Sequence, residues 1–124
     1  MALFLDHTIV SAHDKEKSAK FIAKVFGLEY TGLWGPFAPV KFNDTLSMDF
    51  DDRREVSRNH YAFLASDEEF DSILQRVKDE GVKFGSGPLS NADMEINHQH
   101  MGRGFYFSDP QDGHSWEVIT HTYV

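Results

Sequence analysis

The chain has 124 residues, 40% of them hydrophobic and eleven of them Phe, so it is long enough for one compact domain with a sizeable core. Twelve Lys and Arg against 20 Asp and Glu leave a formal charge of −8, and without a basic stripe this argues against a nucleic-acid partner. Cysteine is absent, which excludes disulfides, thiolate metal sites and a cysteine nucleophile; any metal here needs nitrogen and oxygen ligands. No long apolar run suggests a membrane span, and the N-terminal Met1-Ala-Leu-Phe-Leu5 stretch lacks the basic region and length of a signal peptide. The expectation is a cytoplasmic protein.

In chain order, Leu3 to Val10 reads as a strand with His7 in its middle. Asp14 offers an N-cap, and Lys15 to Phe26 carries Ser18, Phe21, Ile22 and Val25 at helical spacing before Gly27 stops it. Three strands are predicted next, over 28–34, 36–43 and 46–50, separated by Gly35-Pro36 and Asn43-Asp44. Residues 51–58 form a charged connector. Then the order repeats. Asn59 to Leu64 is a strand with His60 near its start, and Ser66-Asp-Glu-Glu69 is a capping box. Phe70, Ile73, Leu74 and Val77 make the helical stripe, which ends at Gly81. Strands are predicted at 82–84, 103–107 and 114–120. The polar stretch between Gly85 and Gly102 has the length of a functional lid or a disordered loop.

The final hairpin holds the most informative residue. Asp109-Pro-Gln-Asp-Gly113 reads as a tight turn between two aromatic strands. Side chains alternate along the returning strand, so Trp116 and Val118 share one face and Glu117 takes the other. A carboxylate on an inner face needs a cation, a donor or a metal. Laying the two halves over each other matches His7 with His60 and Asp49 with Glu117. The fold class implied is α+β: two βαβββ modules, 1–53 and 57–124, forming a half-open, barrel-like cup within a single 1–124 domain.

These residues resemble the vicinal oxygen chelate superfamily, which includes glyoxalase I, the bleomycin-resistance proteins and the extradiol dioxygenases. The segments that carry the resemblance are Leu5-Asp-His-Thr-Ile-Val10, the helix end Phe21 to Gly27, Asn59-His-Tyr-Ala-Phe63, and Gly104-Phe-Tyr-Phe-Ser-Asp-Pro-Gln-Asp-Gly-His-Ser-Trp-Glu117. The last is similar to the family's strand, Asp-Pro-x-Gly turn and strand ending in Glu, with one extra residue in the turn. Carried over, the resemblance implies a divalent metal (Fe, Mn, Zn or Ni) held by His7, His60 and Glu117. Two imidazoles and one carboxylate leave coordination positions open for substrate or dioxygen. Asp49 maps to a fourth position, as ligand or general base, and His100 to a proton donor or acceptor before the seventh strand. Tyr106, His98, Arg103 and Trp34 are the candidate substrate contacts. Trp34 and Phe37, in the Gly32–Phe37 bend, are expected to wall the cavity. His13, His114 and His121 are expected at the surface, and an alternative partner for Glu117 is Arg103.

The family also implies a homodimer and a small-molecule substrate. Three catalytic branches compete. A glyoxalase-like lyase or isomerase needs a carboxylate on strand four, which Asp49 half-fits. A dioxygenase-like enzyme needs the three ligands and a second histidine, which His100 fits. A fosfomycin-resistance-like transferase needs Lys or Arg to hold a phosphonate, and the 85–102 stretch contains none. A bleomycin-resistance-type sequestering protein is the non-catalytic alternative.

Overall fold

The computed structural model describes residues 2–123 and is α+β. The elements are β1 (His7–Ser11), α1 (Lys15–Phe26), β2 (Ala38–Lys41), β3 (Ser47–Asp51), β4 (His60–Leu64), α2 (Asp67–Asp79), β5 (Gly104–Ser108) and β6 (Ser115–Ile119). They fall into two compact units, residues 1–57 and 58–124.

The first unit is a three-stranded sheet of order β1-β3-β2, with β1 parallel and β2 antiparallel to the central β3. Helix α1 starts where it does because the Asp14 side chain accepts the Lys17 N–H. It stops at Gly27, whose φ of 70° is left-handed and whose N–H returns to the Ala23 and Lys24 carbonyls. Its apolar stripe (Ala19, Ile22, Ala23, Val25) is buried, as is the sheet face made by Val10, Ala38, Val40, Met48 and Phe50, and α1 packs on β2 and β3. Full burial of each larger side chain there contributes about 1.5–3 kcal/mol. The opposite sheet face carries His7, Ile9, Pro39, Ser47 and Asp49, with Ile9 and Pro39 both in register with Asp49.

The second unit repeats the plan: order β4-β6-β5, β4 parallel and β5 antiparallel to β6. The predicted capping box of α2 is present, Ser66 accepting the Glu69 N–H and the Glu69 side chain accepting the Ser66 N–H. The core face of this sheet is aromatic. Trp116 lies against Tyr61 and Phe63, with ring centroids 4.9 and 6.2 Å away, and Phe105 meets Phe70 of α2 edge-on at 5.2 Å.

The hairpin turn between β5 and β6 is organised by Asp109, only 5% exposed. Its Oδ1 accepts the N–H groups of Asp112 and Gly113, and its Oδ2 accepts the His114 N–H and the Trp116 indole N–H at 2.8 Å. His114, expected at the surface, is fully buried. Its Nδ1 accepts the Asn59 N–H at 3.0 Å, and its ring meets Tyr61 and Trp116 edge-on, so it tethers the entry of β4 to that of β6. His13 and His121 are exposed as expected.

Two predicted strands do not form as strands. Within 28–34 only Trp34 pairs, with Phe37, because Gly32 (φ 101°) and Gly35 (φ 55°) turn the chain out of extended geometry. Within 82–84 no strand forms; Gly85 bridges Tyr106, and the Phe84 carbonyl accepts from the loop residue Met94. Strand β1 also begins later than predicted, leaving Leu3, Phe4 and Leu5 exposed. The 85–102 stretch is an ordered loop. Asp93 gathers the Ser86 N–H, the Ser86 hydroxyl and the Glu95 N–H, and Asn97 bridges Gly104. Gly85 has no substitute there, since a Cβ would fall 1.7 Å from the Ser90 carbonyl oxygen. Among the described residues, no helix is long and apolar enough to cross a membrane.

Candidate metal-binding face

Each unit places a histidine and a carboxylate on the sheet face turned away from its aromatic or aliphatic core. The registers correspond. In the second unit Glu117 lies between Ala62 of β4 and Tyr106 of β5, and His60 is two residues before Ala62. In the first, Asp49 lies between Ile9 and Pro39, and His7 is two residues before Ile9. The sequence overlay of His7 on His60 and Asp49 on Glu117 is thus matched strand by strand.

In the second unit both oxygens of Glu117 are engaged. Its side chain is 3% exposed; Oε1 lies 2.8 Å from His60 Nε2, and Oε2 accepts the hydroxyl of Tyr123. The Tyr123 hydroxyl is also 3.3 Å from that of Tyr106, whose ring lies 5.8 Å from that of His60. Burial, then the hydroxyl partner and the Glu117 charge, push the Tyr106 phenol far above its ordinary pKa. Burial and the bond to Glu117 raise that of Tyr123 as well. Both phenols therefore keep their protons near neutral pH. The His60 side chain is 45% exposed, so the pair opens to solvent on the imidazole side. His100 reaches this cluster by stacking on Tyr123 at 4.3 Å, with its own backbone at a φ of 56°.

In the first unit His7 Nδ1 lies 2.8 Å from Asp6 Oδ2, and this bond raises the imidazole's pKa. A carboxylate only accepts, so Nδ1 carries the proton and, in the neutral ring, Nε2 keeps its lone pair for a ligand. Asp49 accepts the Ser47 hydroxyl at 2.6 Å. His7, Asp49 and Ser47 line an open cavity of about 450 Å³ together with Trp34 and Phe37. Those two rings stack at 12° with centroids 6.4 Å apart, and Trp34 is 71% exposed.

Two candidate residues lie elsewhere. Arg103 is committed to α2: its guanidinium bonds Asp67 and Asp71 at 2.9 and 2.7 Å and lies over the Phe70 ring. It is therefore tied neither to Glu117, the alternative weighed from sequence, nor to the face that Glu117 occupies. His98 is an exposed loop residue. Tyr123 is the participant that sequence reasoning missed; it lies beyond the last strand, where no local pattern marks it.

The donors present suit a divalent ion. The 2.8 Å between His60 Nε2 and Glu117 Oε1 is a hydrogen bond, and one ion held by both atoms at about 2.1 Å would part them to about 3.0–3.4 Å, a shift of a few tenths of an ångström. Among the described residues, no group of three or more His, Asp or Glu side chains is placed to hold a metal ion; the His60–Glu117 pair offers two donors.

A repeated strand–helix–strand–strand unit with a histidine and a carboxylate in matched register on its open face defines a glyoxalase-type fold. Residues 4–118 match the family described as the Glyoxalase/Bleomycin resistance protein/Dioxygenase superfamily, and the chain belongs to that superfamily. A solved structure named Oxidase ChaP-H2 is 44% identical, superposes with a TM-score of 0.92, and matches over 99% of this chain and 97% of its own. The glutathione transferase FosA of Serratia marcescens is 29% identical over 121 residues, 92% of this chain and 78% of that protein. The fosfomycin resistance protein FosX of Mesorhizobium loti, 23% identical with a TM-score of 0.69 over 98% of this chain and 95% of its own, shares the fold. The first two are named as enzymes.

Proposed function

We propose that this chain is a divalent-metal-dependent oxidase of the dioxygenase-like branch, acting on a small substrate that presents two neighbouring oxygens. The observation that carries the reading is the His60–Glu117 pair, a nitrogen and an oxygen donor 2.8 Å apart on an open sheet face. On the first unit His7, with Nε2 left as a lone-pair donor by Asp6, is the further ligand that the family resemblance implies. When bound, the ion (Fe, Mn, Zn or Ni) supplies a Lewis-acidic centre, and Fe or Mn also supplies oxygen chemistry. Asp49, fixed by the Ser47 hydroxyl, takes a proton from the substrate. Tyr106 and Tyr123, held neutral, donate hydrogen bonds on the Glu117 side, and His100 moves a proton beside them. The Trp34–Phe37 shelf gives a flat apolar part of the substrate a surface to stack on. The protein works in the cytoplasm as a homodimer.

The likeness to an oxidase at 44% identity over nearly both whole chains supports this branch. A second reading, transfer of a thiol to fosfomycin, is favoured by the likeness to the glutathione transferase FosA. One experiment separates them. The protein is stripped of metal, reconstituted anaerobically with Fe(II), and exposed to oxygen with a panel of catechols and hydroxyquinones. Substrate-dependent oxygen uptake supports the oxidase. Glutathione–fosfomycin adduct formation with Mn(II), and no oxygen uptake, replaces it with the transferase. His60→Ala should abolish stoichiometric metal binding; retained metal overturns the ligand assignment.

A further inference from the structure

The segment after β6 folds back onto the metal-binding face. Thr120 starts the return: its N–H bonds the Arg103 carbonyl at 2.9 Å, and its Oγ1 accepts the Arg103 N–H at 2.8 Å. Gly102 permits the close approach that follows, because a Cβ there would lie 2.7 Å from Thr120 Oγ1 and 2.8 Å from His121 Cβ. The return ends at Tyr123, whose hydroxyl donates to Glu117 Oε2 while its ring receives His100. His100 and Met101 both hold left-handed backbones, with φ of 56° and 63°, a conformation that L residues rarely adopt and that persists only where the surroundings impose it.

Glu117 could bind an ion through one oxygen or both. Oε1 faces His60, and Oε2 is occupied by the hydroxyl of Tyr123, which donates to it. We propose that Tyr123 is a positioning residue of the metal site, its hydroxyl holding Oε2 so that Glu117 offers the ion one oxygen, Oε1, beside His60. This rests on the metal-dependent reading above. Hydrogen-bond partners that orient a ligand without touching the metal typically change metal affinity 10–100-fold when removed. Tyr106 backs the arrangement, its hydroxyl 3.3 Å from that of Tyr123. The His100 stack fixes the plane of the Tyr123 ring and so the direction of its O–H.

The test uses Mn(II) alone as probe, with the full chain and three variants, Tyr123→Phe, Tyr123→Ala and His60→Ala. Affinity is read by calorimetric titration, coordination by the Mn(II) electron paramagnetic resonance spectrum, and folding by the melting temperature of the metal-free protein. Tyr123→Phe keeps the ring on His100 and removes only the hydroxyl. The expected result is a metal-free melting temperature within a few degrees of the parent, about tenfold or weaker Mn(II) binding, and an altered Mn(II) spectrum. Tyr123→Ala should weaken binding at least as far. If His60→Ala loses Mn(II) while Tyr123→Phe matches the parent in affinity and spectrum, the metal site stands and the role of Tyr123 is overturned. If the parent and His60→Ala bind Mn(II) equally, or neither binds it, the metal-dependent reading fails and the role of Tyr123 fails with it.

Discussion

Replacing Asp109 with Ala should destabilise the second unit more than any surface substitution. The carboxylate accepts four N–H groups, and three of them, from Asp112, His114 and the Trp116 indole, belong to residues at most 4% exposed. Each buried donor left without an acceptor costs about 1–3 kcal/mol. Some water enters the space vacated by the carboxylate, so the total is set at about 3–5 kcal/mol. For a chain of this length 1 kcal/mol corresponds to about 4 °C, which places the loss at about 12–20 °C. Asp109→Asn keeps one acceptor oxygen but sets an amide NH₂ against the donors on the other side, and should lose about 2 kcal/mol. Stability is measured by urea unfolding. The indole N–H resonance of Trp116 in a nitrogen–proton spectrum reports the broken bond directly. A loss below about 1 kcal/mol for Asp109→Ala, with that resonance unmoved, would refute the view that this carboxylate organises the turn. Because β6 leaves the turn carrying Glu117, the same variant should also weaken Mn(II) binding.

Three further outcomes are expected. Asp49→Asn should keep bound metal and lose turnover by about 10²-fold or more, as for a removed general base; lost metal would make Asp49 a ligand instead. The Glu69 carboxyl is held below its ordinary pKa by the Ser66 N–H it accepts. Its contribution to stability is therefore complete above the unfolded pKa of about 4.3 and disappears as pH falls through the lower folded value. The stability advantage of the parent over Glu69→Gln in urea unfolding should accordingly shrink between about pH 6 and pH 3, and an advantage that grows on acidification would contradict the capping box. Gly102→Ala should destabilise by about 1–3 kcal/mol through the clash with Thr120 and His121, and should raise hydrogen exchange in the segment after β6; an unchanged exchange pattern would show that the close approach is not maintained in solution.

The sequence made local and repeated features legible. Asp14, Gly27 and the Ser66/Glu69 pair cap their helices through bonds to residues three or four positions away, so a short window contains the whole interaction. The match of His7 to His60 and of Asp49 to Glu117 was legible because both halves use the same strand register. Long-range partners were not. His114 looked like a turn residue, and its partners include the N–H of Asn59, 55 positions earlier, and the Tyr61 ring. Arg103 looked available to a substrate, and the two carboxylates that hold it come from α2. The strand predicted over 28–34 failed for a different reason: its apolar residues suit a strand, but Gly32 and Gly35 adopt positive φ and bend the backbone. Tyr123 had no periodic pattern around it, and its contact with Glu117, six residues earlier on β6, arises from the chain folding back after that strand.

The positions of the two donors within their sheet have a further consequence. Glu117 lies on β6, which is hydrogen-bonded on both sides, whereas His60 opens β4, an edge strand with one neighbour. A central strand is stiff and an edge strand yields more readily. The carboxylate is thus anchored from both sides, while the imidazole is held from one side and by the His114 tether at the entry of its strand, so the gap between the two side chains is set by that tether more than by the free edge of the sheet.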